Sequence, residues 1–195
     1  MGRAAGMLLL CLELASLPAR AQDSAGSWTL DQLMQGLSQN KGGTVNFSED
    51  QYDAMLTRPL HSSGVLVYAA PNRLEKDTLL PKPQSVIIDG ATLTMRQANG
   101  RSRTIRLQDY PQIGVLVETL RATLGGDLAG LKNANDVSLK GTADQWQLTL
   151  TPDDPALRKL VKEIRISGSH FALLSVEVLQ AGGDRSMMTI AKVSP

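Results

Sequence analysis

The residues of this 195-residue chain with the chemistry for catalysis or metal binding are few, and they are badly spaced for either. His61 and His170 stand far apart, with no Glu-x-x-His or His-x-His arrangement, so a zinc-type site would lack ligands. Ser167-Gly168-Ser169-His170 resembles a nucleophile elbow only superficially. It lacks the Gly-x-Ser-x-Gly pattern and a strand–turn–helix setting, and reads as a turn. The acid pairs Glu49-Asp50 and Asp153-Asp154 lie among polar, turn-like residues, where solvation and helix capping account for them better than general acid–base work. Asn40-Lys41-Gly42-Gly43 has no phosphate-loop pattern. The expectation is a protein with no catalytic residues, no metal and no cofactor.

The N-terminus has a different meaning. Met1-Gly2-Arg3 is a basic start, Ala4 to Leu17 is apolar, Pro18 breaks the run, and Ala19-Arg20-Ala21 has the small-x-small form of a cleavage site. Residues 1–21 are read as a signal peptide, and residues 22–195 as a single exported domain. The apolar run is shorter than the ~20 residues a membrane span needs. Cleavage would remove Cys11, the only cysteine, which suits an oxidising compartment. It would also leave a formally neutral chain without basic clusters, a poor partner for nucleic acid or an anionic membrane surface. The expected location is a Gram-negative periplasm.

The elements behind these residues are mostly strands. A first helix starts at a capping box, Thr29 with Gln32, and carries Leu30, Leu33, Met34 and Leu37 at helical spacing. Val45 and Phe47 then alternate with polar residues, as do Val65 and Val67 with Leu66 and Tyr68 on the other side. Leu74 to Leu80 is extended. Ser85 to Ile88 and Thr92 to Arg96 flank Asp89-Gly90, a hairpin expected to turn in the type I′ manner, and Asn99-Gly100 makes a second turn into Arg101 to Leu107. A helical stripe of Ile113, Leu116, Val117, Leu120 and Leu124 follows, stopped by Gly125-Gly126, with a shorter helix at Asp127 to Asn133. The rest returns to strands. Roughly nine to eleven antiparallel strands, one N-terminal helix and one helical insertion imply a mainly β (α+β) fold, a large curved sheet wrapped around helices.

In that setting several phrases, in order, resemble the LolA family of periplasmic outer-membrane lipoprotein carriers. They are Val45-Asn46-Phe47-Ser48-Glu49, Gly64 to Tyr68 running on to Pro71-Asn72-Arg73-Leu74, the hairpin Ser85 to Leu93, Leu148-Thr149-Leu150-Thr151-Pro152, and Asp184-Arg185-Ser186. The resemblance spans most of residues 28–195. It implies an unclosed antiparallel β-barrel of about eleven strands wrapped around the N-terminal helix and a mid-sequence helical plug or lid, with a hydrophobic cavity for acyl chains. There are departures. The family's functional arginine falls on Ala70, Leu74 replaces a phenylalanine, Lys76 replaces a tryptophan, and the family's extra C-terminal segment has no counterpart after Arg185. These widen the expected cargo from lipoproteins to other lipids.

The function implied is a non-enzymatic, monomeric carrier of lipoprotein or lipid acyl chains, receiving cargo from an inner-membrane exporter and passing it to an outer-membrane acceptor. The alternative is a sensor or regulatory module of the same fold that binds a lipidated or peptide partner. The residues expected to line the cavity are Leu33, Met34 and Leu37 of the first helix, Leu74, Val86, Ile88, Leu93 and Met95 of the strands, and Ile113, Leu116, Leu120 and Leu124 of the lid. A solid core would bury the same residues, and periodicity alone does not separate the two.

Overall fold

The computed structural model describes residues 28–192. The expected signal peptide lies outside the described residues. The chain forms α1 (Leu30–Leu37), β1 (Gly42–Tyr52), β2 (Leu60–Ala69), β3 (Arg73–Leu80), β4 (Gln84–Asp89), β5 (Thr92–Gln97), β6 (Ser102–Arg106), a 3₁₀ turn (Leu107–Asp109), α2 (Pro111–Gly125), α3 (Leu128–Ala134), β7 (Asn135–Gly141), β8 (Trp146–Pro152), α4 (Pro155–Arg158), β9 (Val161–Ser169), β10 (Ala172–Gln180) and β11 (Arg185–Lys192). All strands join one antiparallel sheet in the order β6-β5-β4-β3-β2-β1-β11-β10-β9-β8-β7. The edges β6 and β7 are joined in sequence by residues 107–134, the helical segment, so the barrel is left unclosed with helices on its open side.

Local sequence accounts for these elements. Thr29 Oγ1 accepts from Gln32 N–H at 3.2 Å while Gln32 Oε1 accepts from Thr29 N–H at 3.0 Å, the reciprocal cap that starts α1. Pro111 opens α2, where its missing N–H is not needed. Gly126 ends α2 in the left-handed region at φ 68°, sending its own N–H back to the Thr123 carbonyl.

Register shows which residues share a face. Leu74 pairs with Ile88, Ile88 with Leu93 and Val86 with Met95, so all five of the strand residues expected at the cavity lie on one side of the sheet. The same side carries Phe47 and Glu49 of β1, Leu66 and Tyr68 of β2, Met188 and Ile190 of β11, and Ile164 and Ile166 of β9. It is the concave, helix-facing side, where Leu33, Met34 and Leu37 of α1 pack on Leu148, Leu150, Ile164 and Ile166.

Three expectations need correction. The hairpin at Asp89-Gly90 is shifted by one residue. Asp89 pairs with Thr92, so the loop is Gly90-Ala91, with positive φ at Gly90 (51°) but not at Ala91. That is the pattern of a II′ turn, whose first central position favours glycine, and not of type I′. Glu49 is not in a polar turn. It lies within β1, where strand alternation turns its carboxylate inward and that of Asp50 outward. On α2 the fully buried positions are Val117, Thr119, Ala122 and Thr123, while Leu116, Leu120 and Leu124 are half-buried. The small residues are covered because α2 presses that side onto its helical neighbours, where Asn135 Nδ2 donates to Thr119 Oγ1 at 3.1 Å and to the Leu131 carbonyl at 3.0 Å.

Gly126 tests the seating of α2 on α1. A side chain there would meet the backbone of Met34 and Ser38, in a conformation that L-residues disfavour. Gly126→Ala is expected to lower stability by about 2 kcal/mol, read from urea denaturation midpoints. An unchanged midpoint would show that the helices do not pack this way.

Candidate functional site

The buried apolar residues fall into two clusters. The larger joins α1, α2, α3 and α4 to β8 and β9, with Trp146, Leu148, Ile164 and Leu131 at most 1% exposed. The smaller joins Ile88, Leu93, Leu107 and Val117, with Leu74, Val86, Ile105 and Ile113 packed against them. Between the clusters run the central strands β2, β1 and β11. Of their inward apolar residues, Val45, Leu66, Met188 and Ile190 belong to neither cluster and are only half-buried, while Phe47 between them is 3% exposed. The concave face therefore carries an apolar strip with a core on each flank and α2 spanning from one to the other.

The expected lining residues divide accordingly. Leu33, Met34 and Leu37 are fully buried in the larger core, and Leu116 packs against it. Ile88, Leu93, Leu74, Val86 and Ile113 belong to the smaller one or its margin. Met95 is 37% exposed. Leu120 and Leu124 are half-buried outside both cores, continuing the stripe that Ile113 and Val117 begin. The structure brings the strand and lid residues to one concave face, and it sets the first-helix residues in solid packing at one flank of that same face.

Two polar features interrupt this face, and sequence reading missed both. Glu49, 5% exposed, receives a hydrogen bond from Lys76 Nζ, another from Ser186 Oγ at 3.0 Å, and a longer one from Ser62 Oγ at 3.4 Å. Lys76 stands on β3 and Glu49 on β1. The β2 residue between them is Gly64, which has no side chain to obstruct the crossing. The ammonium also lies 4.9 Å from the centre of the Phe47 ring. The only signal in the sequence was Lys76 itself, a charge where the family resemblance leads one to expect an aromatic ring.

The second feature is Arg121 of α2, whose side chain is 11% exposed. Nη2 donates to the carbonyls of Asn72 at 2.9 Å and Gly90 at 2.6 Å, and Nη1 donates to Glu118 Oε1 at 2.7 Å. The lid helix is thereby tied to two turns of the sheet, those joining β2 to β3 and β4 to β5. Two clefts of about 570 and 370 Å³ flank the guanidinium, and neither is lined by the aliphatics of the strip. The smaller is lined by both Ala70 and Arg121, so a guanidinium reaches the neighbourhood of Ala70 from the helix rather than from the strand. Burial pushes the Tyr68 phenol, in the same cleft, above its ordinary pKa of 10.0, and the nearby Arg121 charge draws it back by less.

Catalytic geometry is weak. Ser169 Oγ is 3.2 Å from His170 Nδ1, and His170 Nε2 is 3.4 Å from Asp144 Oδ1, which has the outline of a triad. The His170 and Asp144 side chains are 66% and 84% exposed, too open to exclude water. The turn reading holds only for His170, since Ser167, Gly168 and Ser169 lie within β9 and pair with β10. His170-Phe171 closes the β9–β10 hairpin, with His170 at φ 51°. His61 likewise sits on the surface, 2.9 Å from Asp50. Among the described residues no three His, Cys, Asp or Glu side chains converge as a metal site, and no helix is long and apolar enough to cross a membrane.

The match to known proteins covers nearly the whole chain. The model of the family described as outer membrane lipoprotein carrier protein LolA-like matches residues 22–193. The chain belongs to that LolA-like family. An outer-membrane lipoprotein carrier protein of Pseudomonas putida (strain W619) is 26% identical over 185 residues, which are 94% of this chain and 85% of the relative. Its namesake in Pseudomonas fluorescens (strain Pf0-1) is 25% identical over 180 residues, 92% and 82%. Among solved structures, a LolA superfamily protein of Nitrosomonas europaea covers 87% of this chain and 95% of its own, with a TM-score of 0.44 and 10% identity. MucB in complex with MucA covers 85% and 56%, with a TM-score of 0.40 and 16% identity. Both are distant likenesses. This LolA-like chain places Lys76 and Glu49 on the concave wall of its sheet.

Two measurements check this site. Lys76→Met removes the cation from a buried carboxylate and should destabilise by about 2 kcal/mol, discounted from the larger effect of a fully buried pair because Lys76 is 30% exposed. Adding Glu49→Met should recover most of that loss, and a double variant no better than the single would mean the pair is not coupled. For Tyr68, the raised pKa means that its stabilising effect is complete below pH 10 and is lost as the pH rises through the folded-state value. Tyr68→Phe should therefore lose less stability than the unmodified protein when both are titrated above pH 10. Parallel curves would place the phenol in water.

Proposed function

We propose that this LolA-like protein is a non-enzymatic periplasmic carrier that holds acyl chains against the strip between the two cores. The observation that supports this reading most strongly is the strip itself. Val45, Leu66, Met188 and Ile190 form apolar wall that the cores leave half-covered, with Leu74 and Val86 at the margin of the smaller core and Leu120 and Leu124 on the helix above. An ordinary core would close that gap, since burying each aliphatic side chain stabilises by roughly 1.5–3 kcal/mol. The relatives' name, outer-membrane lipoprotein carrier protein, supports an acylated cargo. An exporter at the inner membrane and an acceptor at the outer one would complete the route.

Energetics set what the carrier must do. Covering a sixteen-carbon chain gains on the order of 12 kcal/mol gross. Release requires that much of this be offset, and Arg121 is placed to contribute. Cargo that lifts α2 would break the bonds to Asn72 and Gly90, charge-assisted and worth about 1.5–3 kcal/mol each. The orphaned Arg121 Nε, buried without a partner, weakens the closed arrangement further. The closed state is then stable without being a trap.

Displacement of a fluorescent fatty acid from residues 22–195 tests the reading, and a folded protein that binds no acyl probe would sink it. Leu120→Glu should weaken probe affinity by about tenfold or more, because a carboxylate able to reach water in the empty strip must be desolvated under cargo. Its melting temperature should fall only by about 2–4 °C. If melting collapses while residual folded protein binds normally, α2 does not line the site. Arg121→Leu should speed probe uptake in stopped-flow mixing, and an unchanged rate would remove the latch from the account.

A further inference from the structure

The lower rim of the sheet, opposite the end that Arg121 ties, carries apolar residues that neither core uses. Here β1 runs into β2 through residues 53–59, and β3 runs into β4 through residues 81–83. Met55 is 91% exposed, Leu56 44%, Leu60 57%, Leu79 56% and Leu80 62%. The exposure is built into the backbone. Asp53 Oδ1 accepts the Met55 N–H at 2.7 Å, the Asp53 carbonyl accepts the Leu56 N–H at 3.0 Å, and Asp184 Oδ1 of the β10–β11 connection accepts the Ala54 N–H at 3.2 Å. These bonds brace the tip so that Met55 points into solvent.

The sequence after residue 21, formally neutral and without basic runs, argues against an anionic membrane surface, but folding gathers cations from four separate positions beside these tips, and they complement one partner in particular. Arg58, Lys82, Arg96 and Arg101 are exposed at the same rim, and among the described residues none of them forms an ion pair. The nearest loop acids, Asp53 and Asp184, are occupied by backbone N–H groups. Flexible aliphatic tips with unpaired cations around them match the boundary of an anionic bilayer, where the aliphatics enter the acyl region and the cations stay with the phosphates. The tips are convex, formed by the ends of two neighbouring hairpins rather than by a flat patch, and a bilayer deforms to receive such a shape.

We propose that this rim is a membrane-docking edge, inserting Met55, Leu56, Leu79 and Leu80 into an anionic lipid surface. The polar group of Glu49 and Lys76 lies towards the same end, since its partners Ser62 and Ser186 stand near the starts of β2 and β11. If the carrier reading holds, docking would bring that end of the strip to the membrane surface for transfer. The docking itself does not depend on the cargo.

Co-sedimentation of residues 22–195 with vesicles tests it, using phosphatidylethanolamine–phosphatidylglycerol vesicles beside phosphatidylcholine alone. Binding is expected to the anionic vesicles, falling as salt is raised. Met55→Asp with Leu56→Asp, and separately Leu79→Ser with Leu80→Ser, should each weaken it about tenfold or more. Arg58→Glu with Lys82→Glu should remove the preference for phosphatidylglycerol. All three pairs are at exposed positions and should keep the melting temperature and the acyl-probe affinity. No vesicle binding, or variants that bind as well as the unmodified protein, would overturn the proposal. So would a dimer in light scattering that Met55→Asp with Leu56→Asp abolishes, because the rim would then be a contact between copies. Loss of acyl-probe binding by the unmodified protein would count against the carrier reading alone.

Discussion

The pairing of β1 with β11 is the constraint on which everything else depends. Eight residue pairs, from Val45–Lys192 to Tyr52–Arg185, join the first strand to the last, so the two halves of the chain extend outward from a common seam. The two edges of the sheet are therefore the strands that flank the mid-sequence helices, and those helices must lie where the barrel would otherwise close. Antiparallel neighbours within each wing need only short turns, whereas the seam closes a loop of nearly the whole chain. Its closure entropy grows slowly with length, and the ladder repays it. Each wing buries its own apolar face, and the strands beside the seam lie between two cores instead of inside one.

The concave face is thus subject to two demands. The flanking cores must be dense enough to hold the sheet's curvature, which Trp146, Leu148 and Ile164 achieve on one side and Ile88 with Leu93 on the other. In the carrier proposed above, the strip between them stays half-covered. A bare aliphatic wall there would favour collapse of α2 onto it. Lys76 opposes that collapse, because its ammonium, paired with the buried Glu49, is still 30% exposed and would lose its remaining water. Arg121 holds the helix from the other direction, by bonds to backbone carbonyls rather than by apolar contact. Polar contacts of this kind break and re-form over small displacements more readily than a packed core does.

Much of the fold was legible in the sequence because it is local. The capping box at Thr29, the glycine stop at Gly126 and the alternation along β4 and β5 each reflect short-range chemistry that tertiary packing did not override. The helix α4 escaped notice. At four residues, Pro155–Arg158, it is too short for periodicity, although Asp154 Oδ1 capping the Leu157 N–H fits an Asp before a Pro. The hairpin turn was misplaced by one residue because Asp-Gly suits the type I′ loop, and cross-strand pairing at Asp89–Thr92 decided otherwise. Of the candidate site, the strand and helix aliphatics were readable as inward-facing. The division into two cores was not, since burial of Leu33 and half-burial of Leu120 look alike in a hydrophobic pattern. Glu49 and Arg121 depend on residues far away in sequence, and neither spacing nor composition points to such partners.

The claim that acyl chains lie against the strip can be tested by position. A fatty acid carrying a photoreactive diazirine along its chain, bound to residues 22–195 and irradiated, should leave adducts on Leu66, Leu74, Val86, Met188 or Ile190, with Leu120 or Leu124 opposite. Adducts confined to Leu33, Met34 and Leu37, or to the clefts beside Arg121, would contradict it, because the chain would then be held in the larger core or at the rim and the strip would be mere surface.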